Sequence, residues 1–395
     1  MKTNAYIPRQ IETTIAALQT AFPCIALLGA RQTGKTTLAR KLFSDKPYVS
    51  LEDPDEGEFA SNDPHGFLDR FPEGAVLDEV QRAPSLFSYL QKRVDLDGRM
   101  GLFVLTGSQN FHIFEAITQS LAGRTAIVHL APFSMKELAA ASLLPEDTDA
   151  ILFRGGYPPL YGRNAPPSAW LSNYVRTYIE RDVRFMVNVR DLSSFQLFLR
   201  LCAGRAGQLL NLSSLGAECG ISHNTAKAWI SVLEASSVLF LLRPYFRNFN
   251  KRLVQTPKLY FYDTGLVCWL LGITEQEHLS FHPQRGAIFE NAVVAEVMKE
   301  CFNSGEDPHA FFWRDKSGFE IDLVLEKGQR LDAVEIKSGK TISGDFFRSL
   351  GKWKDIAGES AGRTYLVYAG NEEYAREGHT VLPWKKASLL GNRSA

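Results

Sequence analysis

Cysteine is scarce in this chain of 395 residues, and the few cysteines are scattered. They are odd in number and none forms a C-x-x-C pair, which argues against a disulfide framework and against a cysteine zinc site. A reducing cytoplasm is the compartment that this usage indicates. The five cysteines are Cys24, Cys202, Cys219, Cys268 and Cys301.

Long apolar runs and a net charge are also missing. The longest apolar runs are short, such as 238–242, whereas a membrane span needs roughly 18 or more apolar residues. Residues 4–12 include polar and acidic side chains where a signal peptide would have its apolar core. Lysine and arginine (44) balance aspartate and glutamate (44), so net charge gives no reason to expect a polyanionic partner. We therefore expect a cytoplasmic protein without a membrane segment.

The length predicts two or three domains of about 100 to 200 residues each. In residues 1–150 short apolar runs alternate with helical patterns, which is typical of an α/β domain with a parallel sheet. Residues 151–190 are partly rich in glycine and proline and are interpreted as a helical lid or connector. Residues 191–280 and 281–395 form two further segments. The predicted strands of the first domain are 25–28, 48–51, 75–77 and 102–105.

The segment 191–280 has the layout of a winged helix-turn-helix. Residues 212–218 and 224–235 are predicted helices, and a tight turn at 219–222 separates them. Residues 240–245 and 258–262 would supply the strands of the wing. The last segment, from about 281, begins with a helix and continues as strands.

One motif in the first domain matches G-x-x-x-x-G-K-[ST] at every defined position, directly after an apolar strand and before a helical run. Its glycines let backbone N–H groups surround phosphates, its lysine can reach the β and γ phosphates, and its threonine hydroxyl can bind Mg²⁺. This pattern predicts an ATP site. The residues are Gly29, Ala30, Arg31, Gln32, Thr33, Gly34, Lys35 and Thr36, with Thr37 following in the helix.

An acid pair completes the predicted ATP site. The apolar run 75–77 ends in Asp78 and Glu79, and the carboxyl ends of parallel strands line the ligand crevice of such sheets. Asp78 would hold Mg²⁺, and Glu79 would polarise the attacking water.

Three further residues are candidates for roles in catalysis. The run 102–105 ends in hydroxyl and amide groups, of which Thr106 or Ser108 could sense the γ-phosphate. Arg124 stands beside a glycine and could act on the ATP of a neighbouring subunit, although a surface salt bridge would explain it nearly as well.

These motifs together resemble a prokaryotic family of AAA-type ATPases. The resemblance rests on the phosphate loop, Leu-Asp-Glu-Val-Gln (77–81), Leu-Thr-Gly-Ser (105–108), Leu-Ala-Gly-Arg (121–124) and Gly-Gly-Tyr-Pro (155–158). It implies an AAA-type core and an adjoining winged helix. It also implies homo-oligomers, with a hexameric ring as one form, in which Arg124 acts between subunits. The C-terminal region of the family resembles a PD-(D/E)XK (restriction-endonuclease-like) α/β nuclease domain.

The C-terminal segment has its own candidate site. Asp322 interrupts an apolar strand, and after a turn Glu335 and Lys337 alternate on one face of the next strand. An acid followed by E-x-K has the spacing of a PD-(D/E)XK core, with Glu290 as its helical acid. Asp322 and Glu335 could share a Mg²⁺ ion, and Glu320 is the alternative acid. Ordinary amphipathic patterning is the competing explanation.

A local excess of positive charge follows the predicted recognition helix. No acid occurs from 235 to 262, while basic and aromatic residues accumulate there. Such a patch can contact phosphates and stack on bases, although winged helices also bind proteins. The candidate DNA contacts are Lys227, which follows His223 and Asn224 in the helix, and Arg243, Arg247, Lys251 and Arg252 in the hairpin. Lys258 also contributes to the positive charge of this hairpin.

The leading hypothesis is therefore an ATPase, stimulated by duplex or branched DNA, that remodels or processes that DNA. The first alternative is a nucleotide-dependent switch in signalling or defence with little dependence on DNA. The second is a nuclease that the ATPase gates.

Overall fold

The computed structural model describes residues 6–107, 110–163, 165–180, 192–246 and 254–392, without the side chains at 110–112, 114 and 115. They form two compact units. One comprises Met1–Phe133, Ala235–Ser237 and Phe302–Gly305, and the other comprises Ser134–Glu234, Val238–Cys301 and Glu306–Ala395. Within the described ranges, every helix is too short or too polar to cross a membrane.

The first unit contains a parallel sheet of five strands in its described part. The strands are β1 (Cys24–Leu28), β2 (Tyr48–Ser50), β3 (Ala75–Asp78), β4 (Phe103–Thr106) and β5 (Thr125–His129). Their order is β2-β3-β4-β1-β5, and every neighbouring pair is parallel. The predicted α/β core and its first four strands are confirmed, whereas β5 was not predicted.

Helices cover both faces of this sheet. Successive residues of β1 point to opposite faces, so Ala26 belongs to one apolar cluster and Ile25 to the other. A strand buried on both sides needs a continuous apolar sequence, which β1 and β3 have. The helices of this unit are Glu12–Leu18, Lys35–Leu42, Pro54–Asn62, Pro64–Asp69, Leu86–Asp97 and Asn110–Ser120.

Gly29 directly follows β1, at a position where the neighbouring backbone of Leu130 leaves no room for a side chain. A Cβ atom there would lie 2.2 Å from the carbonyl oxygen of Leu130, and its φ of 147° is one that other residues rarely adopt. The chain can therefore leave β1 and turn towards the helix Lys35–Leu42 only with glycine at this position.

We expect Gly29→Ala to destabilise the first unit strongly, by about 3 kcal/mol, because the clash with Leu130 adds to the backbone strain. Gly98→Ala is the matched control: its φ is also positive (72°), but nothing lies within 4 Å of the added Cβ. That variant should lose about 1 kcal/mol. Thermal melting of both variants measures the difference, and equal losses would contradict the role of the close contact.

The second unit begins with short helices, of which Leu212–Cys219 and His223–Ala235 are separated by a short turn. Asn211 caps the helix Leu212–Cys219 by accepting a hydrogen bond from the Ser214 amide (3.0 Å), and Gly220 ends it in the left-handed conformation. The predicted helices at 212–218 and 224–235 are present. The helices up to this point are Met135–Ala140, Thr148–Arg154, Pro158–Gly162, Pro167–Tyr174, the π-helical Val175–Ile179, Leu192–Gly204, Leu212–Cys219 and His223–Ala235.

A two-stranded antiparallel sheet follows, formed by β6 (Leu239–Leu242) and β7 (Lys258–Phe261). These are the two strands predicted as a wing. The helices Thr264–Leu270, Gln276–Leu279 and Arg285–Ser304 come next.

The C-terminal part of the second unit is a mixed sheet of six strands. Strands β8, β9 and β10 form an antiparallel meander, β10, β11 and β13 are parallel, and β12 pairs with β13. The helix Arg348–Ala357 packs on it through Leu350 and Trp353. The elements are β8 (Ala310–Arg314), β9 (Glu320–Lys327), β10 (Arg330–Lys337), β11 (Ala361–Tyr368), β12 (Tyr374–Arg376), β13 (His379–Pro383) and the helix Ser388–Gly391.

The four-part division predicted from the sequence stays a prediction. The second unit contains the predicted connector, winged helix and nuclease-like segment together.

Candidate functional site: an ATP site and a carboxylate cluster

The phosphate loop joins β1 to the helix Lys35–Leu42. Gln32 and Gly34 adopt positive φ angles (64° and 96°), which turn the loop into the helix. The ammonium group of Lys35 donates hydrogen bonds to the carbonyl oxygens of Gly29 and Ala30, both at 2.8 Å, and Thr33 donates to Ala30 (2.9 Å). Lysine, loop backbone and helix N-terminus thus converge where a phosphate would bind.

Asp78 lies at the carboxyl end of β3 and faces the loop. It accepts a hydrogen bond from the hydroxyl of Thr36 (3.0 Å), and further hydrogen bonds from the hydroxyls of Tyr48 and Thr106. The structure therefore brings Asp78 beside the phosphate loop. Thr36 and Asp78 offer the oxygen atoms that Mg²⁺ prefers, so these residues fit the ion that accompanies ATP.

Tyr48 is a residue of this site that the sequence did not reveal. Its ring lies under the guanidinium group of Arg40, 3.7 Å from the ring centroid. Burial, and next the carboxylate of Asp78, raises the pKa of Tyr48 to about 12, which keeps its hydroxyl protonated as a donor. Tyr48 reaches Asp78 because β2 lies beside β3, and strand order cannot be read from a local pattern.

Glu79 follows Asp78 in the left-handed conformation, with a φ of 55°. The side-chain amide of Gln81 donates a hydrogen bond to its carboxylate. Gln81 in turn packs against Gly107, where a Cβ atom would lie 2.3 Å from its Oε1. Glu79 is therefore held in place by a neighbour.

Arg9 also belongs to the loop environment and was missed. Its guanidinium donates to the carbonyl oxygens of Thr33 (2.9 Å) and Ala131 (2.7 Å) and lies 4.8 Å from the Phe133 ring centroid. Its partners are 24 and 122 residues away along the chain, so no local pattern could reveal the contact.

The remaining predicted positions of the ATP site have different outcomes. Thr106 donates to Asp78, and Ser108 lies outside the described residues. Arg124 forms two hydrogen bonds with Asp95, including one of 2.9 Å from Nη2, which is the surface ion pair that the sequence left open. Its action on a neighbouring subunit stays a prediction.

We expect Arg9→Ala to weaken ATP binding roughly tenfold, because two hydrogen bonds from a charged group hold the loop. Arg9→Lys should not restore it, since one ammonium group lacks the fork that reaches both carbonyls. Dissociation constants of ATP measure the effect, with the surface variant Arg99→Ala as control. An unchanged affinity, or a loss fully explained by unfolding of the nucleotide-free protein, would contradict it.

We expect Glu79→Gln to lower kcat for ATP hydrolysis roughly 100-fold or more while ATP still binds, because the amide cannot accept the proton of the attacking water. Steady-state kinetics and equilibrium binding separate the two effects. Glu73→Gln, at an exposed glutamate of the same unit, is the control. A parallel loss of binding would argue against a catalytic role of Glu79.

The C-terminal sheet and the helix Arg285–Ser304 together hold a carboxylate cluster, defined here as Glu290, Glu320, Asp322 and Glu335. Asp322 accepts a hydrogen bond from the amide of Ile336 (2.8 Å), between the E-x-K positions. Glu335 accepts from Lys337 (2.6 Å) through Oε1, and from Ser349 (2.9 Å) through Oε2. The structure thus brings the residues predicted from spacing into one centre.

Lys258 enters this cluster from β7 and corrects one expectation. It is only 2% exposed, and its ammonium group lies 3.1 Å from Oε1 of Glu290 and also pairs with Glu320. Lys258 therefore does not join the basic groups of the hairpin that could contact phosphates, because its side chain points into the acids. The sequence signal for burial of Lys258 was its alternation with Tyr260 in an apolar strand. Tyr260 also donates a hydrogen bond to Glu290 (2.6 Å).

Burial dominates the electrostatics of the cluster. Burial, followed by the negative charge of Asp322, raises the pKa of Glu290 and of Glu335 to about 7. Burial also raises the pKa of Asp322. Burial lowers the pKa of Lys258, but Glu290, Asp322 and Glu320 outweigh it, so that the net shift is upward and the lysine stays charged.

The cluster does not fit a divalent metal ion as it stands. Where the chain is described, no three or more His, Cys, Asp or Glu side chains are arranged to hold one. The cations that contact these acids are lysine ammonium groups and the guanidinium of Arg314, which lies 3.0 Å from Glu320. That Asp322 and Glu335 share a Mg²⁺ ion stays a prediction.

The predicted DNA contacts are only partly described. His223, Asn224 and Lys227 are exposed at the start of the helix His223–Ala235, and Arg243 is exposed after β6. Phe246 is 62% exposed beside it. Arg247, Lys251 and Arg252 lie outside the described residues.

The phosphate loop after β1 and the acid pair after β3 of a parallel sheet define the class of the first unit. Residues 21–139 match the family model of an AAA domain, so the chain contains an AAA-type P-loop ATPase domain. Residues 145–277 and 285–387 match two domains of unknown function, DUF8612 and DUF4143.

Two mycobacterial proteins are similar over most of the chain. The uncharacterized proteins Rv2008c of Mycobacterium tuberculosis and Mb2031c of Mycobacterium bovis are each 30% identical over 325 residues, which cover 81% of this chain and 71% of theirs. The chain therefore belongs to the family of these two proteins.

Solved structures show weaker similarity. The Walker-type ATPase of Pyrococcus abyssi aligns with a TM-score of 0.44 and 13% identity, covering 67% of this chain and 96% of that one. The RuvB Holliday junction branch migration motor of Thermotoga maritima aligns with a TM-score of 0.32 and 19% identity, covering 60% and 90%. Scores this low decide nothing about function.

Proposed function

We propose that this protein hydrolyses ATP and binds duplex or branched DNA, which it remodels or processes. The observation that carries the DNA part is the exposed start of the helix His223–Ala235. It presents His223, Asn224 and Lys227 to solvent as the second helix of a helix-turn-helix followed by a two-stranded sheet. In such motifs the first residues of the second helix meet the groove of DNA.

The ATP chemistry follows from the first unit. Lys35 and the loop amides would bind the β and γ phosphates, and Thr36 and Asp78 would hold the Mg²⁺, which neutralises phosphate charge when bound. Glu79, oriented by Gln81, would take the proton of the attacking water. In a homo-oligomer, of which a hexameric ring is one form, Arg124 would exchange Asp95 for the γ-phosphate of a neighbouring subunit.

The DNA surface combines the helix with the hairpin. Exposed Lys227 and Arg243 support contacts to phosphates, and the proposal extends the surface to Arg247, Lys251 and Arg252. Phe246 offers a ring for stacking on an unpaired base. Phosphate contacts of this kind bind DNA of any sequence and weaken as salt rises.

The carboxylate cluster supports including the C-terminal region in the same proposal. Glu290, Asp322, Glu335 and Lys337 lie together at the spacing of a PD-(D/E)XK core, which supports descent from a DNA-handling domain. The region would grip DNA during remodelling. Fold alone does not establish cleavage, which is not part of the proposal.

We expect duplex or four-way DNA to raise the ATPase rate of the wild type, and rising salt to remove the stimulation. Lys227→Glu and Arg243→Glu should each weaken DNA binding and lower the slope of log affinity against log salt by about 1 or more. Lys92→Glu, at an exposed lysine of the ATPase unit, is the charge-matched control, and Lys35→Ala should remove hydrolysis altogether.

The DNA part fails if linear, single-stranded and four-way DNAs all leave the ATPase rate unchanged. The same experiments then measure the alternative function. A nucleotide-dependent switch would show assembly that Lys35→Ala abolishes and Glu79→Gln strengthens, whether or not DNA is present.

A further inference from the structure

Lys258 is a buried lysine whose ammonium group is shared by acids from different elements. It pairs with Glu290 of the helix Arg285–Ser304 and with Glu320 of β9, and Asp322 of β9 also acts on it electrostatically. A charged group is seldom buried unless its charge is compensated. Lys258 therefore belongs to the carboxylate cluster as much as the acids do.

We propose that Lys258 is the built-in cation of the carboxylate cluster, and that it takes the place of a divalent metal ion, so that the native cluster binds no Mg²⁺. This role of Lys258 goes beyond the proposed function. Metal binding is measured without ATP or DNA, so the proposed function and the role of Lys258 can fail independently.

Most carboxylate oxygen atoms of the cluster already have a partner. Oε1 of Glu290 faces both Lys258 (3.1 Å) and the hydroxyl of Tyr260 (2.6 Å), and both oxygens of Glu335 accept hydrogen bonds. One oxygen of Asp322 accepts the Ile336 amide. Mg²⁺ demands near-octahedral oxygen ligands at about 2.0 to 2.1 Å, so these contacts would have to break.

Withdrawal of Lys258 is opposed by the packing of its strand. All four residues of β7 are buried, and its backbone binds on two sides, to β6 and to residues 207–210. The Tyr260 ring stacks on Phe240, with centroids 5.7 Å apart. Asn291, next to Glu290 in the helix, binds both backbone groups of Phe261 at 2.7 and 2.8 Å. The ammonium group is therefore fixed among the acids.

A metal-free cluster would be a structural centre instead of a hydrolytic one. Lys258 would join β7 to the helix Arg285–Ser304 and to β9, and no metal-activated water would form there. The chain would then handle DNA without cutting it at this centre.

Binding of Mn²⁺ and Mg²⁺ to the nucleotide-free full chain, measured by titration calorimetry, tests the inference. Wild type, Asp322→Asn and Glu335→Gln should bind the same number of ions, because any ion held near the phosphate loop is common to all three. Lys258→Met should gain one site, which the double variant Lys258→Met/Asp322→Asn lacks. Mn²⁺ should also raise the melting temperature of Lys258→Met.

The inference is overturned if the wild type binds an ion that both Asp322→Asn and Glu335→Gln lose. It is also overturned if folded Lys258→Met gains no site. Should Lys258→Met fail to fold, the comparison of wild type with the two acid variants decides, and ion binding unchanged by them supports the inference.

Discussion

The first unit depends on the hydrogen bonds that the carboxylate of Asp78 accepts. This carboxylate accepts hydrogen bonds from hydroxyls on the phosphate-loop helix, on β2 and on β4, through Thr36, Tyr48 and Thr106. Hydrogen bonds to a charged acceptor are worth about 1.5 to 3 kcal/mol each. One residue thereby holds three elements at the edge where the strands end, and the phosphate loop takes its position from them.

The two centres of the chain differ in what surrounds their acids. Within the described residues, the side-chain donors to Asp78 are neutral hydroxyls, and the nearby Lys35 binds carbonyl oxygens instead. A hydroxyl can keep one lone pair for a metal ion while it stays near an acid, but an ammonium group has none to offer. The hydroxyl donors around Asp78 are therefore compatible with a metal site there. The ammonium group of Lys258 argues against a metal site in the carboxylate cluster.

Local sequence predicted those parts of the fold and sites whose geometry is itself local. The phosphate loop, the strand ends at Asp78 and the E-x-K alternation at Glu335 depend on periodicity and on glycine conformation, which neighbouring residues determine. Arg9 and Tyr48 depend on the strand order, which arises only when distant segments pair. Lys258 was counted with the basic groups of the hairpin because charge counts along the chain contain no information on the direction of a side chain.

The contacts around Lys258 also connect the hairpin of β6 and β7 to other elements of the second unit. The hairpin is bound to the C-terminal sheet by backbone hydrogen bonds, since Tyr245 donates to Phe312 (2.7 Å) and Phe312 donates to Arg243 (3.1 Å). Asn291 and the Lys258 ion pairs bind the other strand of the hairpin. These contacts hold the hairpin on the C-terminal sheet, and its displacement would be unfavourable because buried ion pairs are costly to break.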